Sequence, residues 1–195
     1  MAGSKPTRER ILQSALDLLP RAGFAGLTVG RLASETGMSK SGLFGHFGSQ
    51  TVLQIAVIEA AAARFNASVI TPAQDEADKA ARLEQLAALW LYWLTRPGLG
   101  LPCPLIQAAF SAPGLTDEAG QTAIQIRSRF APYIARQAEA AKTEGAYRAD
   151  LDAALFAFSF EAIGLAVAAQ AMRDAEAARH RAEAAFAHLF ADAAA

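Results

Sequence analysis

Apolar residues along this chain recur at intervals of three and four, which is the period of a helix facing a core and not the alternation of a strand. Ile11, Leu12, Ala15, Leu18 and Leu19 form a first stripe that starts near Thr7 and runs three to four turns, until the proline and glycines of "PRAGFAGL" end it. Val29, Leu32, Ala33 and Thr36 repeat the spacing behind Thr28, a residue suited to an N-cap. Gly37 then supplies the left-handed conformation that stops a helix. Ser39 is a second N-cap two residues later, and Leu43 with Phe47 makes an i, i+4 pair beneath "KSGLFGHF". A longer apolar-faced helix follows from Ser49 to a polar, proline-containing break at 71–78. Further helices are predicted at 79–95, 108–111 (short), 117–144, 152–172 and 174–191, punctuated by "RPGLGLPCP", "SAPGL", "EGAYRAD" and "MRDAE". The fold class is all-α, with about nine helices.

Composition adds a compartment and a polarity to this picture. The 195 residues are alanine-rich and hold one cysteine, so no internal disulfide framework exists and a reducing environment fits. The N-terminal "MAGSKPTRERILQ" has no apolar h-region, and no later run of about twenty apolar residues is free of charge, so the chain reads as a soluble cytoplasmic protein with no membrane partner. The net charge of −1 conceals an asymmetry. Residues 1–50 carry six cations (Lys5, Arg8, Arg10, Arg21, Arg31, Lys40) against three acids, a surplus of three, which leaves −4 on the remainder. Only the N-terminal end suits a polyanion.

Helix, glycine turn and helix within about twenty residues is the geometry of a helix-turn-helix, whose second helix enters the major groove. Ser41, Gly42 and Gly45 fall on the face away from Leu43 and Phe47, where bulk would hold the helix off DNA. Lys40 and the Ser39 hydroxyl lie within reach of phosphates or bases. The stretch "TRERILQSALDLLPRAGFAGLTVGRLASETGMSKSGLFGHFGSQTVLQIAV", about the first fifty-five residues, resembles the DNA-binding domain of the TetR family of transcriptional regulators. The positions that carry the resemblance include Gly23, Thr28, Leu32, Ala33, Gly37, Ser39, Leu43, His46, Phe47 and Leu53. The later "LPCPL" is similar to a Cys-Pro element in one TetR subgroup.

The resemblance implies a three-helix DNA-binding domain over 1–50 and a helical ligand-binding and dimerisation domain over 51–195, joined by the helix at about 49–70. It further implies a homodimer on palindromic double-stranded operator DNA, with the last two helices of each chain forming a four-helix interface. Carried onto matching positions, the DNA-facing residues are Thr28, Gly30, Arg31, Ser39, Lys40, Ser41, Gly42, Phe44, His46 and Gln50. The family usually has tyrosine at the place of Phe44 and lysine at the place of Gln50, so affinity is expected to lean on Lys5, Arg8, Arg10 and helix N-termini. His46 also fits an intradomain packing role.

In the C-terminal part, Trp90, Trp93, Phe110, Phe130, Tyr133, Phe156 and Phe160 sit at helical spacing, as core residues or as the wall of a mostly apolar effector pocket. Cys103, between two prolines, has no neighbouring cation to lower its pKa, so burial beside that pocket is favoured over redox sensing. Gly164, Ala168, Ala169, Ala184 and Ala185 would permit close helix approach across the dimer interface, with His188 beside them. His180 and His188, eight apart, lack metal-pair spacing, and no metal or other cofactor is expected. No phosphate loop, nucleophile elbow or catalytic cluster is present in the sequence. The sequence reads as a non-enzymatic, ligand-responsive regulator, a repressor released from its operator by a small apolar or aromatic molecule. A ligand-independent or activating DNA-binding protein uses the same parts.

Overall fold

The computed structural model describes residues 7–98, 102–110 and 113–195. In chain order its helices are α1 (Thr7–Gly26), α2 (Val29–Thr36), α3 (Lys40–Phe47), α4 (Gln50–Phe65), α5 (Thr71–Gln74), α6 (Lys79–Thr95), α7 (Pro104–Ala109), α8 (Asp117–Arg127), α9 (Phe130–Thr143), α10 (Ala153–Gln170) and α11 (Ala175–Ala193). A π-helical turn, Asn66–Ile70, joins α4 to α5 without a break. An isolated antiparallel bridge joins Tyr147 and Ala194, and no described residue belongs to an extended strand.

Two compact units result. One holds the chain up to Ala63 together with Pro104–Arg127; the other holds Arg64–Cys103 and Ser128–Ala195. The units interleave along the sequence, so a single cut at residue 50 does not separate them.

In the first unit, α1 buries Ile11, Ala15, Leu18 and Leu19 as the stripe requires, but it does not stop at Pro20. The proline removes one backbone donor, and the departure from helical geometry falls at Gly23, with φ 59° and ψ −176°, a conformation open to glycine alone. Leu32, Leu43, Phe47, Leu53 and Val57 close this core from α2, α3 and α4.

The second unit packs α6 against α9, α10 and α11. The single helix expected at 117–144 is two helices, with a turn at residues 128–129. Pro132 explains the break: in a continuous helix its ring would strike the carbonyl of Ser128, whereas in the first turn of α9 its missing N–H costs nothing. The short helix expected at 108–111 begins instead at Pro104, where proline's fixed φ favours the first helical position. Ser111 lies outside the described residues, as does Lys5. Asp78, Asp152 and Asp174 each accept backbone N–H bonds at the starts of α6, α10 and α11, so these three boundaries fall where capping chemistry puts them.

Two helical runs, Gln50–Gln74 and Ala153–Gln170, are long and apolar enough to cross a membrane by length and composition alone. The second has Ser159, Glu161 and Gln170 as its only polar side chains, yet only 28% of it is buried within this chain. A helix of that kind calls for burial on its remaining face.

Candidate functional site

The first unit builds a rigid frame for α3. The Thr28 hydroxyl accepts the Arg31 N–H at 3.2 Å and caps α2. Gly37, at φ 68°, ends α2 and sends its N–H to the Ala33 carbonyl. The Ser39 hydroxyl accepts the Gly42 N–H at 3.0 Å and lies 3.1 Å from the Ser41 hydroxyl. A side chain at Gly42 would come within 3.1 Å of that Ser39 oxygen, so the missing Cβ leaves the cap undisturbed. Leu43 and Phe47 are buried beneath, while Ser39, Lys40, Ser41, Phe44, Gly45 and His46 stay exposed, with Phe44 at 48%. Among the described residues nothing lies within 4 Å of where a Gly45 side chain would stand. The outward face of α3 is therefore low in relief and carries hydroxyls, one imidazole and one ammonium.

Several cations near this face are free of ion pairs among the described residues. Lys40 runs across Gly30, whose added Cβ would meet the Lys40 Cε at 3.3 Å. The Arg31 guanidinium lies over Gly26, 3.1 Å from a Cβ built there. Arg8 sits 5.3 Å above the Phe47 ring. Among the described residues, Arg8, Arg10, Arg31 and Lys40 form no ion pair, whereas Arg21 of α1 pairs with Glu35 of α2 at 3.0 Å. Cations held without an acid beside them are free to meet an external anion.

Gln50 belongs to the frame. Its side-chain amide donates to the Leu27 carbonyl while its oxygen accepts the Val29 N–H at 3.3 Å, which locks the turn between α1 and α2. This neutral clamp stands where a DNA-facing residue was expected, and it fixes α2 rather than offering its amide outward.

In the second unit the aromatic residues contact one another. Trp90 stacks on Phe160 at 5.8 Å with planes 6° apart and meets Phe130 edge-on at 4.8 Å; Phe65 bridges Trp93 and Phe130 at 5.6 and 5.8 Å. Phe156 continues the cluster to Tyr147 and Phe190. At these points the rings fill space rather than enclose it. Tyr133 is half-buried with its hydroxyl buried and unpartnered, and Cys103 is buried. Phe110 does not join the set: it is 68% exposed, past the end of α7 and in the first unit, because α7 starts four residues earlier than its sequence suggested. Among the described residues no group of three His, Cys, Asp or Glu side chains is placed to hold a metal.

Comparison with known proteins adds to this geometry. Residues 11–57 match the family model of bacterial regulatory proteins, tetR family, and residues 80–186 match that of the tetracyclin repressor-like C-terminal domain. The second match alone spans more than half of the chain. The chain belongs to the TetR family. This TetR-family chain is 42% identical over 65 residues to the HTH-type transcriptional repressor AcnR of Corynebacterium glutamicum, an alignment covering 32% of this chain and 35% of that protein. The chain therefore spans about a third of that relative's length. Among solved structures it is similar to a TetR transcriptional regulator from Chloroflexus aurantiacus, with TM-score 0.81 and 20% identity over 95% of this chain and 92% of the other. It is also similar to AibR in complex with isovaleryl coenzyme A and operator DNA, with TM-score 0.72 and 21% identity over 93% and 95%. At such identities these structures show the shared fold alone.

The last two helices of this TetR-family chain leave a broad apolar face open. On α10, Leu155 and Phe158 are 60% and 69% exposed, and Ala169 is exposed with Ala168 half-buried beside it. On α11, Ala184 and His188 are exposed and Ala185 is half-buried, lining with Ile163 and Ala166 a shallow groove of about 150 Å³. Gly164 does not belong to this face. It points inward, where an added Cβ would lie 2.1 Å from the Trp90 ring, and its role is to let α10 close on α6.

One buried polar residue escaped the sequence reading. Gln54 of α4 is fully buried; its amide donates to the Gly114 carbonyl at 2.7 Å and its oxygen accepts the Thr116 N–H at 2.9 Å. Gly114, at φ 83°, packs so closely on Ala25 that a Cβ would stand 2.3 Å from its Cα. The segment between α7 and α8 is thereby fastened to α4 and to the end of α1. Partners sixty residues apart leave no local signal in the sequence.

Proposed function

We propose that this chain is a cytoplasmic, ligand-responsive transcriptional regulator that binds a palindromic operator as a homodimer and acts as a repressor. The observation that carries the reading is the face of α3. A doubly capped, buried-core helix presents small residues outward, with Lys40 and Arg31 unpaired beside it, as insertion into a major groove requires. Phosphates would be held by Arg31, Lys40, Thr28 and the free N–H groups at the starts of α2 and α3, and bases read by Ser39, Ser41, Phe44 and His46.

Dimerisation is supported by the open apolar face of α10. A second copy would bury Leu155 and Phe158 and convert α10 and α11 into a four-helix bundle. The division of labour follows the two units: α1, α2 and α3 of the first bind DNA, and the second, Arg64–Cys103 with Ser128–Ala195, serves the effector and dimerisation. An effector lowers operator affinity by as much as it prefers the DNA-free state, and operator DNA lowers effector affinity by the same factor.

The test is selection of fragments from source genomic DNA by purified protein, followed by sequencing. The reading requires an enriched inverted repeat with half-sites about one helical turn apart. Fragments recovered without any shared repeat would refute it.

A further inference from the structure

A second concave feature of the Arg64–Cys103 stretch is chemically unlike the aromatic cluster. Where α4 passes into its π-helical turn, and where α6 ends, a groove of about 550 Å³ opens, with Arg64, Ser68, Tyr92, Trp93 and Arg96 on its walls. That volume suits a small organic molecule. Among the described residues no carboxylate lines it, so its two guanidinium groups make its lining positive.

Each cation is held in place with donors to spare. One Arg64 nitrogen donates to the Gly98 carbonyl at 3.1 Å, which spends one N–H of five. Arg96 lies 4.8 Å over the Tyr92 ring, so a face is stacked and the in-plane N–H edges remain open. Among the described residues neither arginine meets an acidic side chain within ion-pair distance. Trp93, almost wholly buried, contributes to the groove wall. Leu89 and Pro97 complete the lining with apolar surface. The wide π turn is what brings Ser68 to the same wall.

We infer that this groove is the effector seat and that the effector is an organic anion with an apolar body, its acidic group held between Arg64 and Arg96. A planar guanidinium pair suits a carboxylate, sulfonate or phosphate head, and the Tyr92 and Leu89 surfaces suit a ring or acyl body. The inference rests on the regulator reading only for what binding does to DNA.

The probe is 8-anilinonaphthalene-1-sulfonate, with the uncharged N-phenyl-1-naphthylamine as its partner of the same ring system, titrated by fluorescence into the full chain. The sulfonate is expected to bind one per chain, and Arg96→Gln and Arg64→Gln are each expected to weaken it about tenfold. The neutral compound should bind all three proteins alike. Sulfonate affinity unchanged in both variants, or both compounds weakened in parallel, overturns the proposal. Should a variant fail to fold, wild-type protein at low and high salt decides: the sulfonate alone must weaken as salt rises. Operator affinity is read in the same samples. Sulfonate bound through the arginines without any change in DNA affinity overturns the groove as effector seat. A protein that binds no DNA even without the probe refutes the regulator reading instead, while the dependence on arginine still reports on the groove.

Discussion

Gln54, Gly45 and Tyr147 show how single residues divide between holding the fold and serving its function. Gln54→Ala removes the bonds to the Gly114 carbonyl and the Thr116 N–H and empties the space of a fully buried side chain, so unfolding free energy should fall by about 2–4 kcal/mol in a urea titration. Gly45→Ala adds a methyl in open space on a helix, which should raise stability by about 0.5–1 kcal/mol while reducing operator affinity, because the methyl stands on the proposed DNA face. Opposite signs for stability and binding are the mark of a residue kept for function. Tyr147 is buried with its hydroxyl unpartnered, and burial, then the charges of Glu84 and Asp78, push its pKa up from the ordinary 10.0. The fold therefore favours the neutral phenol: this contribution to stability is complete below pH 10 and is lost as pH rises through the higher folded value. Tyr147→Phe should raise the melting temperature at pH 8 by a few degrees, on the order of 1 kcal/mol, and should blunt the loss of stability above pH 10.

Helix ends with local chemistry were legible in the sequence, and those set at a distance were not. Thr28, Gly37 and Ser39 cap and stop helices through partners two to four residues away, so their identity alone places α2 and α3. Of the proline and glycines in "PRAGFAGL", Gly23 is the one that breaks helical geometry, because a proline late in a helix costs one bond without ending it. Pro132 split the expected helix through a clash four residues upstream, a signal that was present in "RSRFAP". The small residues of α10 do not share one surface, since Gly164 faces Trp90 while Ala169 faces outward; helical phase, not composition, separates them. Gly164→Ala should therefore destabilise by about 1–3 kcal/mol or more by driving α10 away from α6, with calorimetry reading the loss.

For the whole molecule, the decisive feature is that α10 is predominantly apolar but leaves Leu155 and Phe158 exposed. A second chain supplies the missing cover, so wild-type protein should run as a dimer in light scattering, and Phe158→Asp should yield a folded monomer. A monomeric wild type, or one that partitions onto lipid vesicles through this face, would count against the dimer. The arginine-lined groove escaped the sequence reading because Arg64 and Arg96, thirty-two residues apart, become neighbours only when α4 and α6 pack. The number of aromatic residues in a sequence does not distinguish rings that fill a core, as Trp90, Phe130 and Phe160 do, from rings that line a cavity.

The central claim is that α3 and its unpaired cations grip DNA, and the salt dependence of binding tests it most directly. Fluorescence anisotropy would be followed on a duplex bearing the selected inverted repeat, at several salt concentrations, for wild type and Lys40→Ala. The account predicts a steep fall of log affinity with log salt in the wild type. In Lys40→Ala the slope should be shallower by about 0.9 for each phosphate that the ammonium no longer neutralises, or roughly 1.8 for two subunits, with affinity reduced and helicity unchanged. An identical slope and affinity in the two proteins would contradict it.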